Sequence, residues 1–412
     1  MFRIPAKRIS LWMAALPVIL SFACQGQSSR SAISKAPLEP YIEAELLRLE
    51  ETYRILDRYG EELWPGWTNY AKMPVKINFP NGVILLVTPS GAQPGFERIA
   101  GRSVFGKAVS INRKNQTSVE VRPPLFAQVG RGGAAIELNM AEPDLPPLEA
   151  ERSAALEARL KDGSRPETPF DLAPLGDSDS HILMFVHEHF HGHQTRFPQF
   201  QGALPGDALL RRFEVSAEYA AWAHIEGLAL RKAYLESQDA VALDLLKDFA
   251  VAREIKHTSM PRGTAPAEAR ISLVEGTASY VSLKTAMLLR DASDKPGIDR
   301  SKDPFFYDYA YVDGYIDNIM RKGMDFAASL TEDKRGRYYF YGAYECFLLD
   351  RFAPGWKRGF LEKEKSLGSA MADLLKISIE EKEEIKRRLP DRYGYDEILA
   401  FHKNALKMRN NP

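Results

Sequence analysis

A run of apolar residues followed by a histidine-rich heptapeptide constrains the fold of this chain more than any other segment. Residues 187–193 read His-Glu-His-Phe-His-Gly-His and contain the pattern His187-Glu188-x-x-His191. Residues 182–186 are apolar at every position, which predicts a helix buried on all sides. Side chains four residues apart lie on one face of a helix. His187 and His191 are therefore expected to point the same way, and their burial requires polar or ionic partners.

Two imidazoles on one helical face are suited to one tetrahedral Zn²⁺. Glu188 is expected beside that face, where its carboxylate can take a proton from water held by the ion. His189 and His193 form a second pair on roughly the opposite face, but Phe190 stands where a catalytic carboxylate would be needed. We interpret that pair as structural or as supporting the metal ligands. The sequence predicts one zinc ion per chain; the alternative is metal sequestration by the histidine cluster alone.

A catalytic zinc needs a third protein ligand and one open coordination position. Few histidines follow His193, and none has the spacing from the HExxH pattern at which a third histidine ligand is known to occur. A carboxylate is therefore favoured as the third ligand. Glu275 is the preferred ligand because Gly276 and Ala278 beside it allow its helix to approach another helix closely. Glu226, which precedes Gly227, is the main alternative. The full set of candidate carboxylates is Glu214, Glu218, Glu226 and Glu275.

The overall charge gives little support for a nucleic-acid partner. The 412 residues include 55 Lys and Arg and 55 Asp and Glu, a formal net charge of zero, and no basic run stands out. Nucleic-acid binding depends strongly on neutralising phosphates with basic side chains. We therefore predict no nucleic-acid partner.

The first 24 residues are typical of an export signal. Basic residues at the N-terminus precede an apolar run at 9–23 that is short for a membrane span. The run ends at Cys24 in a sequence that resembles the lipobox of bacterial lipoproteins, although Ser21 stands where that motif usually has Leu. The resemblance implies lipidation of Cys24, with simple secretion as the alternative. Gln25 after the cysteine favours the periplasmic face of the outer membrane or the cell surface, with membrane contact only through the lipid anchor.

The pattern of the remaining chain predicts an α+β fold with a small N-terminal sheet and a larger, mainly helical region. We divide it into a signal peptide (1–24), a flexible tether (25–40), a helix plus β-rich subdomain (41–145) and a mainly helical catalytic domain (146–412). Ser180 is expected to cap the helix that carries the histidines, and Pro390 to end a later one. Strands are predicted at 75–79, 83–87, 118–121 and 134–138, and helices at 41–63, 207–250, 268–291, 338–352 and 378–389.

Together, these motifs resemble those of the gluzincin metallopeptidases, which combine HExxH with a glutamate on a second helix. The resembling residues are His187, Glu188, His191, Glu275, Gly276, Ala278 and Tyr280. The interval between His191 and Glu275 is longer than in thermolysin-like members. An interval of this length resembles that of divergent bacterial zinc peptidases, in which a helical hairpin is inserted between the ligand helices. The resemblance implies that the mainly helical region is zincin-like. It also implies a zinc hydrolase in which Glu188 is the general base and peptides or proteins are the substrates.

A third segment is similar to the aminopeptidase branch of that family. Residues 339–343, Tyr-Phe-Tyr-Gly-Ala, resemble a helix start whose tyrosine stabilises the oxyanion, which implies that role for Tyr339. Tyr338 and Tyr311 are alternatives. The exopeptidase motif Gly-x-Met-Glu-Asn is absent, and the strand-like segment 133–140 lies where a substrate-aligning edge strand is expected. Two other functions stay open: a degenerate zincin that acts as an envelope scaffold, and a hydrolase of non-protein amide bonds.

Overall fold

The structure is a computed structural model. It describes residues 37–141 (apart from 92, 119–125 and 133–134), 178–201, 216–292 (apart from 259 and 261–262), 297–309 (apart from 304) and 336–410, together with 33, 34, 312 and 316. The predicted signal peptide, Cys24 and the predicted domain boundary at 145 lie outside the described residues. Among the residues described, no helix has the length and apolar character needed to cross a membrane.

The described strands form one mixed sheet in the order β1-β4-β5-β3-β2-β7-β6. Two neighbouring pairs, β1 with β4 and β2 with β7, are parallel, and the other pairs are antiparallel. With the helices described below, this sheet confirms the α+β class. The strands are β1 Ile33–Ser34, β2 Val75–Asn78, β3 Ile84–Thr88, β4 Glu97–Val104, β5 Lys107–Asn112, β6 Phe126–Gly132 and β7 Ala135–Ala141.

Three of the predicted strands are found, as β2, β3 and β7, with small shifts at their ends. The fourth, at 118–121, lies almost wholly outside the described residues. The expectation that 133–140 forms an edge strand is wrong, because β7 is paired on both sides and β6 is the outermost of the described strands at that end of the sheet. The β4–β5 hairpin was not predicted, because most β4 side chains are exposed and show no apolar alternation.

The helical part contains the segment that carries the histidines. The helices are α1 Pro40–Leu63, α2 Ser178–Gln194, α3 Ala217–Leu235, α4 Asp239–Thr258, α5 Thr264–Ile271, α6 Thr277–Asp291, α7 Gly336–Phe352, α8 Leu367–Leu375, α9 Ile379–Tyr393 and α10 Tyr395–Asn410. A π-helical turn, Ser272–Gly276, joins α5 to α6. Helix α2 packs against α1, α6, β6 and β7. Its apolar run is buried, as predicted, except for Met184, which is partly buried.

Ser180 lies inside helix α2, of which Ser178 is the first described residue, so the prediction that Ser180 caps it is wrong. Long-range contacts set this end of the helix. The Ser178 hydroxyl donates to Asp303, and the Asp179 carboxylate accepts hydrogen bonds from the backbone N–H groups of Tyr307 and Tyr309. The start of α2 is therefore fixed by segment 297–309, a partner that is remote in sequence.

Helix α9 continues through Pro390, where the sequence predicted its end. Ser378 caps its first turn by accepting from the Glu381 N–H. The last turn is held by tertiary contacts: the Tyr393 hydroxyl donates to Asp248 of α4 at 3.1 Å. These contacts offset the backbone hydrogen bond that proline cannot make.

Candidate metal centre

The two histidines of the HExxH pattern lie side by side on α2. The Nε2 atoms of His187 and His191 are 3.0 Å apart, and the ring centroids are 4.7 Å apart. Their side chains keep 14% and 12% of their accessible surface, so the site is reachable from solvent. This arrangement confirms that both rings occupy one face of a largely buried helix.

Glu275 completes the cluster from the π-helical turn. Its Oε2 lies 3.2 Å from His191 Nε2 and 3.7 Å from His187 Nε2. The three candidate ligand atoms lie within 4.8 Å of one another, close enough to hold one metal ion. The prediction that Glu275 approaches the two imidazoles is confirmed.

The position of Glu275 depends on a close helix contact made by its neighbour. A Cβ atom on Gly276 would lie 2.4 Å from the Cα of Gly342 in α7, and one on Gly342 would lie 2.3 Å from the Ser272 carbonyl oxygen. Real Cβ atoms do not approach backbone that closely. The small residues noted in the sequence therefore permit contact with α7, which packs behind the glutamate.

The electrostatics of the cluster keep Glu275 ionised. Burial, with only 4% of the side chain exposed, would raise its pKa. The hydrogen bond from His191 and the nearby imidazole of His187 outweigh that effect and hold the pKa well below its usual value. The centre therefore pairs an anionic carboxylate with two imidazoles.

Two further predicted residues lie beside the cluster. Glu188 has an exposed fraction of 14%, and its Oε1 is 3.9 Å from His187 Nε2. Tyr339 places its ring parallel to that of His187, with 6.2 Å between centroids and 8° between planes. Tyr338, by contrast, is buried and donates its hydroxyl proton to Glu268. Tyr311 lies outside the described residues.

The competing carboxylate ligands lie elsewhere. Glu226 is buried and accepts hydrogen bonds from Arg253 and Lys256, each at 2.6 Å. Both of its carboxylate oxygens are paired with these cations, and it lies outside the histidine cluster. The alternative prediction that Glu226 is the third ligand is therefore wrong. Glu218 is exposed on the first turn of α3 and accepts from the Ser216 hydroxyl at 2.6 Å. Glu214 lies outside the described residues.

The second histidine pair belongs to the core. His189 Nδ1 is 2.7 Å from the Phe185 carbonyl oxygen, and burial lowers the pKa of His189 to about 3. His193 Nδ1 is 3.1 Å from Asn69 Oδ1, and burial lowers its pKa to about 4. Both rings are neutral at physiological pH and point away from Glu275. The structural interpretation of this pair is supported.

Sequence reasoning missed Gln194, the last residue of α2. Its Oε1 is 2.7 Å from Nδ1 of His191, and its Nε2 donates to the Val274 carbonyl at 2.9 Å. The residue therefore links a histidine of the cluster to the turn that carries Glu275. The available signal was its spacing, because residues i and i+3 share a helical face.

The donor atoms suit a divalent transition metal. Two imidazole nitrogens and one carboxylate oxygen form a typical set for zinc with an open position. Gln194 must direct its oxygen at His191, because its NH₂ faces a carbonyl that only accepts; His191 Nδ1 therefore carries a proton, and its Nε2 is the atom that faces Glu275. A bound cation would replace the proton that His191 Nε2 shares with the Glu275 carboxylate.

Comparison with known proteins adds no relative to this description: no protein-family model, curated protein or solved structure matches the chain.

Proposed function

We propose that this protein is a zinc-dependent peptidase in which His187, His191 and Glu275 hold the metal. The observation that carries the proposal is the convergence of these three ligand atoms within 4.8 Å, with Glu188 alongside. Three protein ligands leave a coordination position for water or substrate, as in catalytic zinc sites. The resemblance of the motifs to gluzincins supports peptides or proteins as the substrate class.

Bound Zn²⁺ would supply Lewis acidity, polarising a scissile carbonyl and lowering the pKa of water at the site. The protein supplies the proton transfer. Glu188 lies on the same helix as both histidines and retains contact with solvent. In the proposed reaction its carboxylate accepts the proton of the attacking water and later passes it to the leaving amine.

Tyr339 is the proposed donor to the oxyanion. Its ring stacks against His187, so its phenol lies near the cluster. A hydroxyl directed at the developing negative charge strengthens its hydrogen bond in the transition state. Tyr338 is excluded from this role because its hydroxyl donates to buried Glu268.

The proposed function is tested by the variant Glu188→Gln. The amide preserves the shape of the side chain but cannot act as a general base. We expect it to bind zinc as tightly as the wild type and to lose hydrolysis of a casein-derived peptide library. Glu218→Gln is the control, because Glu218 is an exposed carboxylate outside the cluster. Turnover retained by Glu188→Gln would remove the general-base role.

Parallel assays distinguish the proposed substrate class from its alternatives. Wild-type protein is incubated with the peptide library and with peptidoglycan fragments at the same zinc concentration. Hydrolysis of peptides supports the proposal. Cleavage of peptidoglycan amides alone would indicate a non-protein substrate, and tight stoichiometric zinc without hydrolysis would indicate a binding or scaffold protein.

A further inference from the structure

The environment of Gln194 is unusual for a glutamine at the end of a helix. The side chain is 1% exposed. Its oxygen lies 2.7 Å from His191 Nδ1, and its nitrogen donates to the Val274 carbonyl and to the Thr277 hydroxyl oxygen, at 2.9 Å and 2.7 Å. Each of these contacts joins α2 internally or to the segment that carries Glu275.

The direction of each hydrogen bond is fixed by the chemistry of the partners. The Val274 carbonyl only accepts, so the atom facing it is the amide NH₂. The Thr277 hydroxyl donates to the Leu273 carbonyl at 2.7 Å and therefore accepts from Gln194. The remaining amide oxygen accepts from His191, whose Nδ1 must carry the proton. His191 is thereby held with Nε2 directed at Glu275.

The same side chains support the π-helical turn. A π-helix shifts backbone hydrogen bonding by one residue, and such turns recur at functional sites. Here Thr277 donates to the carbonyl of Leu273, and Gln194 donates to the carbonyl of Val274, the residue before Glu275. The amide of Gln194 therefore contacts one candidate ligand, His191, directly and supports the turn that carries a second, Glu275.

We infer that Gln194 is a positioning residue that holds His191 as its Nδ1–H form and fixes the turn bearing Glu275, so that both ligands are arranged before metal binds. This inference rests on the proposed zinc centre. Outer partners of metal-ligating histidines fix the tautomer and typically change metal affinity 10- to 100-fold when they are removed.

The test uses the full chain with ¹⁵N-labelled histidine and Zn²⁺ itself as the probe. Metal affinity is measured by competition with a chelator, and the protonation of His191 Nδ1 by ¹⁵N–¹H correlation in the metal-free and zinc-loaded protein. For Gln194→Ala we expect zinc binding 10- to 100-fold weaker and loss of the single Nδ1–H form. Gln194→Glu keeps an acceptor for His191, so it is expected to restore the Nδ1–H signal.

Two controls separate positioning from general loss of packing. Gln238→Ala changes an exposed glutamine between α3 and α4 and is expected to match the wild type. Thr277→Val removes one partner of Gln194 but leaves the contact with His191, so the Nδ1–H form should persist and affinity should fall less than in Gln194→Ala. If Gln194→Ala and Thr277→Val lost zinc affinity equally and His191 kept its Nδ1–H form in both, the positioning role would be overturned.

The outcome is distinguishable from failure of the proposed function. Wild-type protein that binds no zinc contradicts the metal centre itself. Tight wild-type binding that Gln194→Ala leaves unchanged contradicts only the role of Gln194. Neither readout depends on hydrolysis of a substrate.

Discussion

The backbones of Gly276 and Gly342 are in direct contact, so closely that a Cβ on Gly342 would lie 2.6 Å from the Cα of Gly276. This contact presses α7 against the π-helical turn and places Glu275, the adjacent residue, opposite the two histidines of α2. The same helix α7 carries Tyr339. One glycine pair therefore positions both the acid ligand and the proposed oxyanion donor.

Substitution of Gly342 by Ala tests this contact. The added methyl group meets backbone of Ser272 and Gly276, which cannot rotate away, so we expect a loss of about 1–3 kcal/mol in the free energy of unfolding and weaker zinc binding. Chemical denaturation and chelator competition measure the two effects. Gly368→Ala is the control, since its Cβ would have 3.9 Å of clearance from the nearest side-chain atom. Equal stability of both variants would contradict the close contact.

Glu275 and Glu226 should respond differently to the same substitution. Glu275→Gln removes the anionic ligand, so zinc affinity is expected to fall sharply. Glu226→Gln is expected to leave zinc affinity unchanged. It removes the buried negative charge that pairs with Arg253 and Lys256, which should lower the free energy of unfolding by about 3 kcal/mol. Chelator competition and urea denaturation of both variants make the comparison. If Glu226→Gln lost zinc binding but kept its stability, Glu226 and not Glu275 would be the third metal ligand.

The motif-bearing helix and its main ligand could be predicted from the sequence because the signals are local. The spacing of His187 and His191 places both on one helical face. The small residues around Glu275 predict that its segment approaches another helix closely. The predicted strands that were found have apolar or alternating patterns, whereas β4 exposes most of its side chains and left no such signal.

Features set by distant partners could not be predicted. Asp303 contacts Ser178 across 125 positions, and Arg253 contacts Glu226 across 27. In sequence, Glu226 beside a glycine looked much like Glu275 beside a glycine. Only the packing of α3 against α4 shows that one carboxylate is already neutralised by two cations. The role of Gln194 was missed for the same reason.

Tyr339→Phe is expected to reduce kcat by about 100-fold, because removal of one oxyanion donor typically costs that much. Zinc affinity should be unchanged, since the phenol is not a ligand. Tyr338→Phe is the matched variant: it removes the buried hydroxyl bond to Glu268 and is expected to affect stability more than kcat. Steady-state kinetics on zinc-loaded protein compare them. A larger kcat loss in Tyr338→Phe would move the oxyanion role away from Tyr339.

Lys107 gives the fold a pH dependence on the other side of α2. Its side-chain nitrogen lies 3.7 Å from the Tyr53 ring centroid and 3.3 Å from the Met73 carbonyl oxygen, and the Tyr53 hydroxyl lies 3.3 Å from His189 Nε2. Burial lowers the pKa of Lys107 to about 7 from a usual value of 10.5. Between these values the unfolded chain binds a proton that the folded protein does not, so stability rises with pH.

Lys107→Met removes this titration while keeping most of the side-chain volume. We expect the variant to be more stable than the wild type below pH 7. That advantage should shrink between pH 7 and 10 by at most about 1.4 kcal/mol per pH unit. Urea denaturation at several pH values measures the difference. A stability difference that is constant over this range would contradict a neutral buried amine.

The most direct test of the metal centre is anomalous X-ray diffraction from zinc-loaded crystals of the full chain, recorded on both sides of the zinc edge. We expect one strong peak per chain, with Nε2 of His187, Nε2 of His191 and a carboxylate oxygen of Glu275 within about 2.2 Å. A zinc ion bound elsewhere, or no peak between these three side chains at saturating zinc, would contradict it.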